Sequence, residues 1–241
     1  MLFLALATHL NPHSVILLAP LVLLLAKDGV SSRSQHISVS VGIFTMAFIA
    51  LLLSSFICNQ YSWDFMPATF GFIFSYPEYT PNVGLWWYLF IEMFDAFRSF
   101  FVFVFHVHVF IYAIPISIRF KERPIYAIII LLIILAHFTP FVSMPDIGLY
   151  LALLPMLPEV AQHRRTSFIW ASLLAFATVL APTFYHLWLH LGSGNANFYF
   201  AATLLWAMAA VVLALDLMHA MTRQLFVETY PKLVDLPVLY Q

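Results

Sequence analysis

The chain has 241 residues, of which 63% are hydrophobic and 9% charged, with 25 phenylalanines. Soluble domains carry roughly 25% charged residues, and a chain this short has too little polar surface to cover so much apolar side chain. That excludes a soluble fold, the net charge of −1 excludes a basic nucleic-acid footprint, and the single cysteine, Cys58, excludes an internal disulfide and a Cys-rich metal site.

Taken in order, the chain reads as an all-α polytopic membrane protein with about seven transmembrane helices and an interfacial aromatic segment. The first span is placed at about 2–26, with a break at Leu10 because Asn11-Pro12 interrupts it, and a second piece from Ser14. It has no basic leader and no small-residue cleavage site, which argues against a removable signal peptide. A chain already helical at Met1 is read as the later part of a longer protein or a truncated form. A polar loop with Lys27, Arg33 and His36 leads to the second span, 39–58, and Cys58 is read as a small apolar residue near its end.

The stretch 59–82 is too polar and too proline-interrupted (Pro67, Pro77, Pro81) for a simple span. Its rings, from Trp63 and Phe65 to Tyr76 and Tyr79, suit the headgroup layer. Residues 84–120 are expected to form one continuous helix of about 55 Å, longer than the bilayer, with its first turns outside. Next come two short helices, 125–138 and 146–158, read as a packed or broken pair of the kind tolerated where protein covers the backbone. Spans at 167–191 and 198–220 flank the loop Gly192-Ser193-Gly194-Asn195-Ala196-Asn197, and 222–241 forms a polar cytoplasmic tail.

Charge gives the orientation. The basic loops at Lys27/Arg33, Arg119/Lys121/Arg123, Arg164/Arg165 and Arg223 fall on one side, and Asp64, Glu78, Asp146 and the uncharged glycine loop on the other. The positive-inside rule assigns the basic side to the cytoplasm. The aromatic segment 59–82 and the loop 190–197 then share the lumenal or exoplasmic face.

Few residues carry chemistry. Glu92, Asp95 and Arg98 lie at i, i+3 and i+6, so neighbours share a helix face and Asp95–Arg98 forms a plausible local pair. They serve either as a polar anchor for a headgroup or an acid–base pair, or as an ion pair fixing helix packing. An ionisable group costs roughly 2.5–3.5 kcal/mol at a helix centre on insertion scales, so these are expected near the interface. His9 and His13 have ligand spacing, but Asn11-Pro12 lies between them; His106 and His108 point to opposite sides of a helix. His186 and His190 stand at i, i+4 near a span end and are read as interfacial hydrogen-bonding groups. No zinc site and no cofactor is expected. Ser193 or Asn195 could cap the following helix, yet two asparagines beside Tyr199 and His186 exceed what a cap requires. Trp63, Trp87, Tyr88, Trp188 and Tyr199 are expected at the interface, in contact with lipid. The sequence contains no GxSxG elbow, HExxH, P-loop or dinucleotide fingerprint, and it lacks the early acidic pair of lumenal lipid-sugar glycosyltransferases.

Ser62-Trp63-Asp64-Phe65 with Gly71-Phe72, then Thr80-Pro81-Asn82-Val83-Gly84-Leu85 through Trp87-Tyr88 to Glu92-Met93-Phe94, resemble the phosphatidylinositol-glycan class U family, subunits of the glycosylphosphatidylinositol (GPI) transamidase. Asp146, Leu149-Tyr150, Pro155, His186-Leu187-Trp188 and Gly192 to Phe198 follow in the same order. The resemblance covers nearly the whole chain but only about the C-terminal half of a family member. It implies a non-catalytic subunit in the endoplasmic-reticulum membrane that helps bind the GPI lipid, with the catalytic Cys–His on another subunit. Its partners are the other transamidase subunits and the lipid, and its overall fold is similar to that of lipid-linked mannosyltransferases. The family's headgroup contacts map to Asn195 and Asn197, with Ser193 and His186 beside them and Glu92 and Asp95 as candidates for the ethanolamine ammonium. The chain departs from the family pattern at Gly194 and Ala196, where Ala and Ser are expected. A lumenal lipid-linked glycosyltransferase-like enzyme and a polytopic lipid transporter are the alternatives.

Overall fold

The computed structural model describes residues 1–26, 33–77, 79–140 and 142–233. Lys27, Glu78 and the 234–241 part of the tail therefore lie outside the described residues. Among the described residues the regular structure is all helical, one of the two ways in which a chain satisfies its backbone in lipid. Four helices are long and apolar enough to cross a membrane, Arg33–Cys58, Asp95–Arg119, Ser167–Leu189 and Ala196–Thr229, and three shorter apolar helices accompany them at Pro12–Leu25, Pro124–Phe138 and Met144–Met156. The chain divides into two compact units, Met1–Ile147 and Gly148–Gln241.

In the first unit, α1 (Leu2–Leu10) stops where expected. Asn11 is extended (φ −140°, ψ 106°), its side chain accepts from the His13 N–H at 3.1 Å, and Pro12 begins a 3₁₀ turn to Leu17 that runs into α2 (Leu18–Leu25). The second piece thus starts at Pro12 rather than Ser14, because proline fits a first helical position where its missing N–H costs nothing. Leu4 and Ala5 of α1 pack against Phe44 of α3 (Arg33–Cys58), with Leu18, Phe48 and Leu51 around them. At 26 residues, α3 measures about 39 Å. It starts at Arg33, so Arg33 and His36 belong to the helix rather than to a loop.

After α3 the chain reverses through Gln60 and Tyr61, both at positive φ (54° and 61°). The turn is held by Tyr61 N–H donating to the Phe56 carbonyl at 2.9 Å and by the Asn59 amide donating to the Ser62 carbonyl at 3.1 Å. The aromatic stretch that follows contains a wide helical turn, Pro67–Gly71, and α4 (Phe72–Ser75). Trp63 stacks on Phe56 with ring centres 4.7 Å apart, and Phe72 on Tyr76 at 4.6 Å.

The continuous helix expected over 84–120 is broken. α5 (Trp86–Glu92) ends at Met93 and Phe94, both with ψ 137°, and α6 (Asp95–Val107) starts anew. A 3₁₀ turn at His108–Tyr112 then leads into α7 (Ala113–Arg119). The tightening sits just before Pro115, which has no N–H and would clash with the carbonyl one turn back. On α6, Phe97, Phe100 and Phe103 are exposed at successive i+3 positions while Val102 and His106 are buried, an outer ring stripe for hydrocarbon and an inner face for protein.

α8 (Pro124–Phe138) is apolar all round and buries Tyr126, Ile129, Ile130, Leu131 and Ile133, the mark of a core helix. It packs against α2 and α7. Trp86 donates its indole N–H to the Phe138 carbonyl at 3.1 Å, satisfying one acceptor that the helix end leaves open. Gly84 is required by close approach: a Cβ there would lie 2.7 Å from a Val142 methyl and 2.8 Å from the Asn82 amide oxygen. That oxygen already accepts from the Gly84 N–H at 2.7 Å.

α9 (Met144–Leu153) follows. In the second unit, the short α10 (Pro158–Ala161) packs on α12 (Ala196–Thr229), and α11 (Ser167–Leu189) pairs with α12 along its length. Ala177 and Ala181 on α11, with Ala202, Ala207, Ala209 and Ala210 on α12, are buried. Small side chains at such positions let two helices approach closely in lipid, where apolar side chains gain nothing from leaving water. α12 continues to Thr229, so the first part of the expected tail is helix.

Candidate functional site

The loop between α11 and α12 is built by backbone donors converging on the last turn of α11. Leu191 N–H donates to the His186 carbonyl at 3.1 Å, and the N–H groups of Ser193 and Gly194 both donate to the Leu187 carbonyl at 3.0 Å. Gly192, at φ +65°, supplies the left-handed residue that this reversal needs. Asn195 then caps α12: its side-chain oxygen accepts from the Phe198 N–H at 3.3 Å. A cap of this kind contributes about 1 kcal/mol and engages the amide oxygen, not the amide NH₂.

Around this loop, Ser193, Asn195, Asn197 and His186 are exposed. The His186 and His190 rings stack with centres 5.1 Å apart. Trp188 is half-buried, and its ring lies 6.3 Å from that of Tyr199, which also packs against Tyr185 at 5.3 Å. Tyr199 is only 5% exposed. Its expected contact with lipid is therefore corrected: position 199 lies on the face of α12 that α11 covers. The arrangement presents neutral amides, a hydroxyl and an imidazole pair on a rigid backbone, a donor and acceptor set suited to sugar hydroxyls and phosphate oxygens.

The second polar cluster of this unit escaped sequence reasoning. Asp216, inside the apolar run of α12, is buried. Its carboxylate accepts from the backbone N–H groups of Arg165 at 2.8 Å and Thr166 at 3.0 Å, and pairs with the Arg164 guanidinium at 3.4 Å. Gln224, two turns on, contacts His163 at 3.0 Å and Glu228 at 3.0 Å. An aspartate within a membrane-length helix was the available signal, since such a residue must find a partner.

In the first unit, the break between α5 and α6 separates Glu92 from Asp95, so the two carboxylates do not share one helix face. Arg98 organises the corner. Its Nε donates to the Phe90 carbonyl at 3.1 Å and its Nη2 to the Met93 carbonyl at 2.8 Å, while it pairs with Asp95 and lies 5.5 Å from the centre of the Tyr79 ring. The Asp95 side chain is 88% exposed, so the pair itself contributes little. The carbonyl contacts close the open end of α5. Glu92 is exposed. Trp87 is fully buried beside Phe90, which corrects its expected place against lipid. Tyr88 is half-buried and Trp63 exposed.

Two histidines far apart in sequence meet in the interior of this unit. His13 Nε2 lies 3.3 Å from His106 Nδ1, the rings are stacked, and His13 Nδ1 contacts the Asn11 side-chain oxygen at 3.1 Å. Phe74 and Phe110 pack on the pair. His9 instead turns to Ser55, at 3.1 Å, so the His9–His13 spacing brings nothing together. Among the described residues, no three His, Cys, Asp or Glu side chains converge as a metal site would require.

The family profile of GPI transamidase subunit PIG-U matches residues 1–206. This chain belongs to the PIG-U family. It is 35% identical to the GPI-anchor transamidase component PIGU of Homo sapiens over 237 residues, covering 95% of this chain and 54% of that protein. Against the GPI transamidase component GAB1 of Saccharomyces cerevisiae it is 37% identical over 215 residues, covering 89% and 53%. The GAB1 homologue of Schizosaccharomyces pombe is 34% identical over 234 residues, covering 97% and 56%. The chain thus spans about half the length of the curated relatives it matches. The PIG-U motifs read from sequence now have structural counterparts: Thr80 to Gly84 is the turn pressed on Val142, and Gly192 to Asn197 is the capped reversal.

Proposed function

We propose that this chain is a non-catalytic membrane subunit of a GPI transamidase, and that its α11–α12 loop grips the polar head of the GPI lipid. The observation that carries this reading is the loop's construction. Three backbone hydrogen bonds to the end of α11 and the Asn195 cap hold a glycine turn rigid while Asn195, Asn197, Ser193 and His186 remain exposed. A preorganised loop of uncharged donors and acceptors suits a glycan-phosphate head, because little ordering remains to be done on binding. The names of the relatives support membership of the complex, and the sequence offers no nucleophile constellation of its own, in keeping with catalysis by a Cys–His pair on another subunit. In this reading the protein resides in the endoplasmic-reticulum membrane, with both the loop and the aromatic segment 59–82 lumenal. Its partners are the other transamidase subunits and the GPI lipid.

The cap makes the test sharp. Asn195→Ala removes both the cap and the amide NH₂, whereas Asn195→Ser keeps a capping oxygen and removes only the NH₂. Combined with Asn197→Ala, each is expected to lower surface display of a GPI-anchored reporter several-fold, while blue-native gels show the complex intact. Unaltered display with Asn195→Ser/Asn197→Ala would count against the loop.

A further inference from the structure

At the end of α11 away from the glycine loop, the start of α11 and the middle turns of α12 border a cleft of about 390 Å³, within the ~300–1,000 Å³ typical of small-ligand sites. Ile169, Val212 and Leu215 line it together with Arg165, Asp216 and His219. Positions 212, 215, 216 and 219 recur at helical spacing, so they form one stripe on α12. The stripe changes from apolar at Val212 and Leu215 to polar at His219. Arg223, four residues further along the same face, lies against the Phe226 ring at 5.2 Å.

A carboxylate in the wall would repel an anion if it were uncompensated. Asp216 is compensated: two backbone N–H groups and the Arg164 guanidinium hold it, and Arg164 also lies 5.1 Å from the Trp170 ring. His163 is engaged by Gln224. The basic groups left at the cleft are the Arg165 guanidinium and the His219 imidazole, both exposed and neither engaged by another described side chain. A cationic mouth leading to an apolar trough between two membrane-length helices matches one class of molecule.

We propose that this cleft binds an anionic glycerophospholipid, its phosphate held by Arg165 and His219 and one acyl chain lying over Ile169, Val212 and Leu215. A free phosphate would gain nothing from the trough, and an acidic peptide would have to bury its backbone in hydrocarbon. On the orientation that the basic loops imply, the mouth opens to the cytoplasmic leaflet, where anionic lipids concentrate and a juxtamembrane arginine strengthens binding about fivefold. The site is separate in residues from the glycine loop and does not depend on the function proposed above.

The test uses the 241-residue chain purified in neutral detergent and exposed to phosphatidylserine and phosphatidylcholine with identical acyl chains, with retained lipid counted by native mass spectrometry. Phosphatidylserine is expected to be retained about fivefold or more over phosphatidylcholine. Arg165→Gln with His219→Gln removes the preference, and Leu215→Trp, which fills the trough, reduces retention of both lipids. Arg33→Gln, the same charge removed from an exposed site on α3, leaves the preference unchanged. Equal retention of the two lipids, or a preference that survives the double variant, would overturn the site. Displacement by inorganic phosphate or glycerophosphoserine as readily as by lipid would overturn its assignment to a whole lipid, and displacement by polyglutamate would transfer it to a protein partner. Because the Arg165 and His219 side chains hold no other part of the described structure, and Arg165→Gln keeps the backbone N–H that Asp216 accepts from, circular dichroism of the variants should match the parent.

Discussion

The two ends of the α11–α12 pair handle their polar groups in opposite ways. At the glycine loop the Leu191, Ser193, Gly194 and Phe198 N–H groups are satisfied within a few residues, by the His186 and Leu187 carbonyls and the Asn195 cap, and the Ser193, Asn195 and Asn197 side chains are exposed. At the other end a single buried carboxylate, Asp216, reaches across from α12 to satisfy two N–H groups and a guanidinium at the start of α11, about fifty residues earlier in the chain. Local closure leaves the loop side chains exposed. Long-range closure ties the helices together but consumes the groups involved. The first arrangement fits a recognition loop, and the second a structural clasp.

The largest effect should come from opening the clasp. Asp216→Ala leaves the half-buried Arg164 without its carboxylate and strips the start of α11 of its acceptor. Removing one member of a fully buried pair costs about 3–5 kcal/mol, and the partial exposure of Arg164 places this loss toward or below the lower end. A markedly lower midpoint of thermal unfolding in detergent, with faster hydrogen exchange at the Arg165 and Thr166 amides, is the expected result. A stability change within about 0.5 kcal/mol, the range of ordinary surface substitutions, would mean that the two ends do not differ as described.

The next effect belongs to Gly84. A methyl at that position meets Val142 and the Asn82 oxygen below 3.0 Å, and overpacking of this sort costs about 1–3 kcal/mol. Gly84→Ala should lower the unfolding midpoint, and Val142→Ala should recover part of the loss in the double variant. Simple additivity of the two losses would argue against the contact.

The smallest effect should be at the glycine loop itself. Gly192 has open space around it but positive φ, so Gly192→Ala carries only the backbone penalty, about 1–2 kcal/mol. GPI attachment is expected to fall more than stability does, because the substitution distorts the reversal that places Asn195 and Asn197. Equal sensitivity of attachment to Gly192→Ala and to Asp216→Ala, at matched loss of stability, would erase the distinction between recognition loop and clasp.

The clasp and the loop also differ in how readily they were legible. The loop's residues are contiguous, so glycine, serine and asparagine in one short run disclosed both the turn and the cap. The clasp joins residues about fifty positions apart, and Asp216 in a long apolar run looked like part of a plain span. The same holds in the first unit, where His13 and His106 meet across 93 positions, although in sequence His13 had ligand spacing with His9 and His106 had no partner on its own face.

Composition alone determined that this is a membrane protein; lipid admits only helices or closed barrels, and the long continuous apolar runs chose helices. The ordered motifs determined the family, because several short runs in one order are specific even when each is weak. Only the tertiary structure decided that α5 and α6 are separate helices, that Trp87 and Tyr199 face inward, and that Asp216 closes the start of α11. Hydropathy is a local average: it reports how much of a segment avoids water. Which side of a helix meets protein rather than lipid depends on neighbours distant in the chain, and in hydrocarbon both sides are equally apolar, so no periodicity distinguishes them.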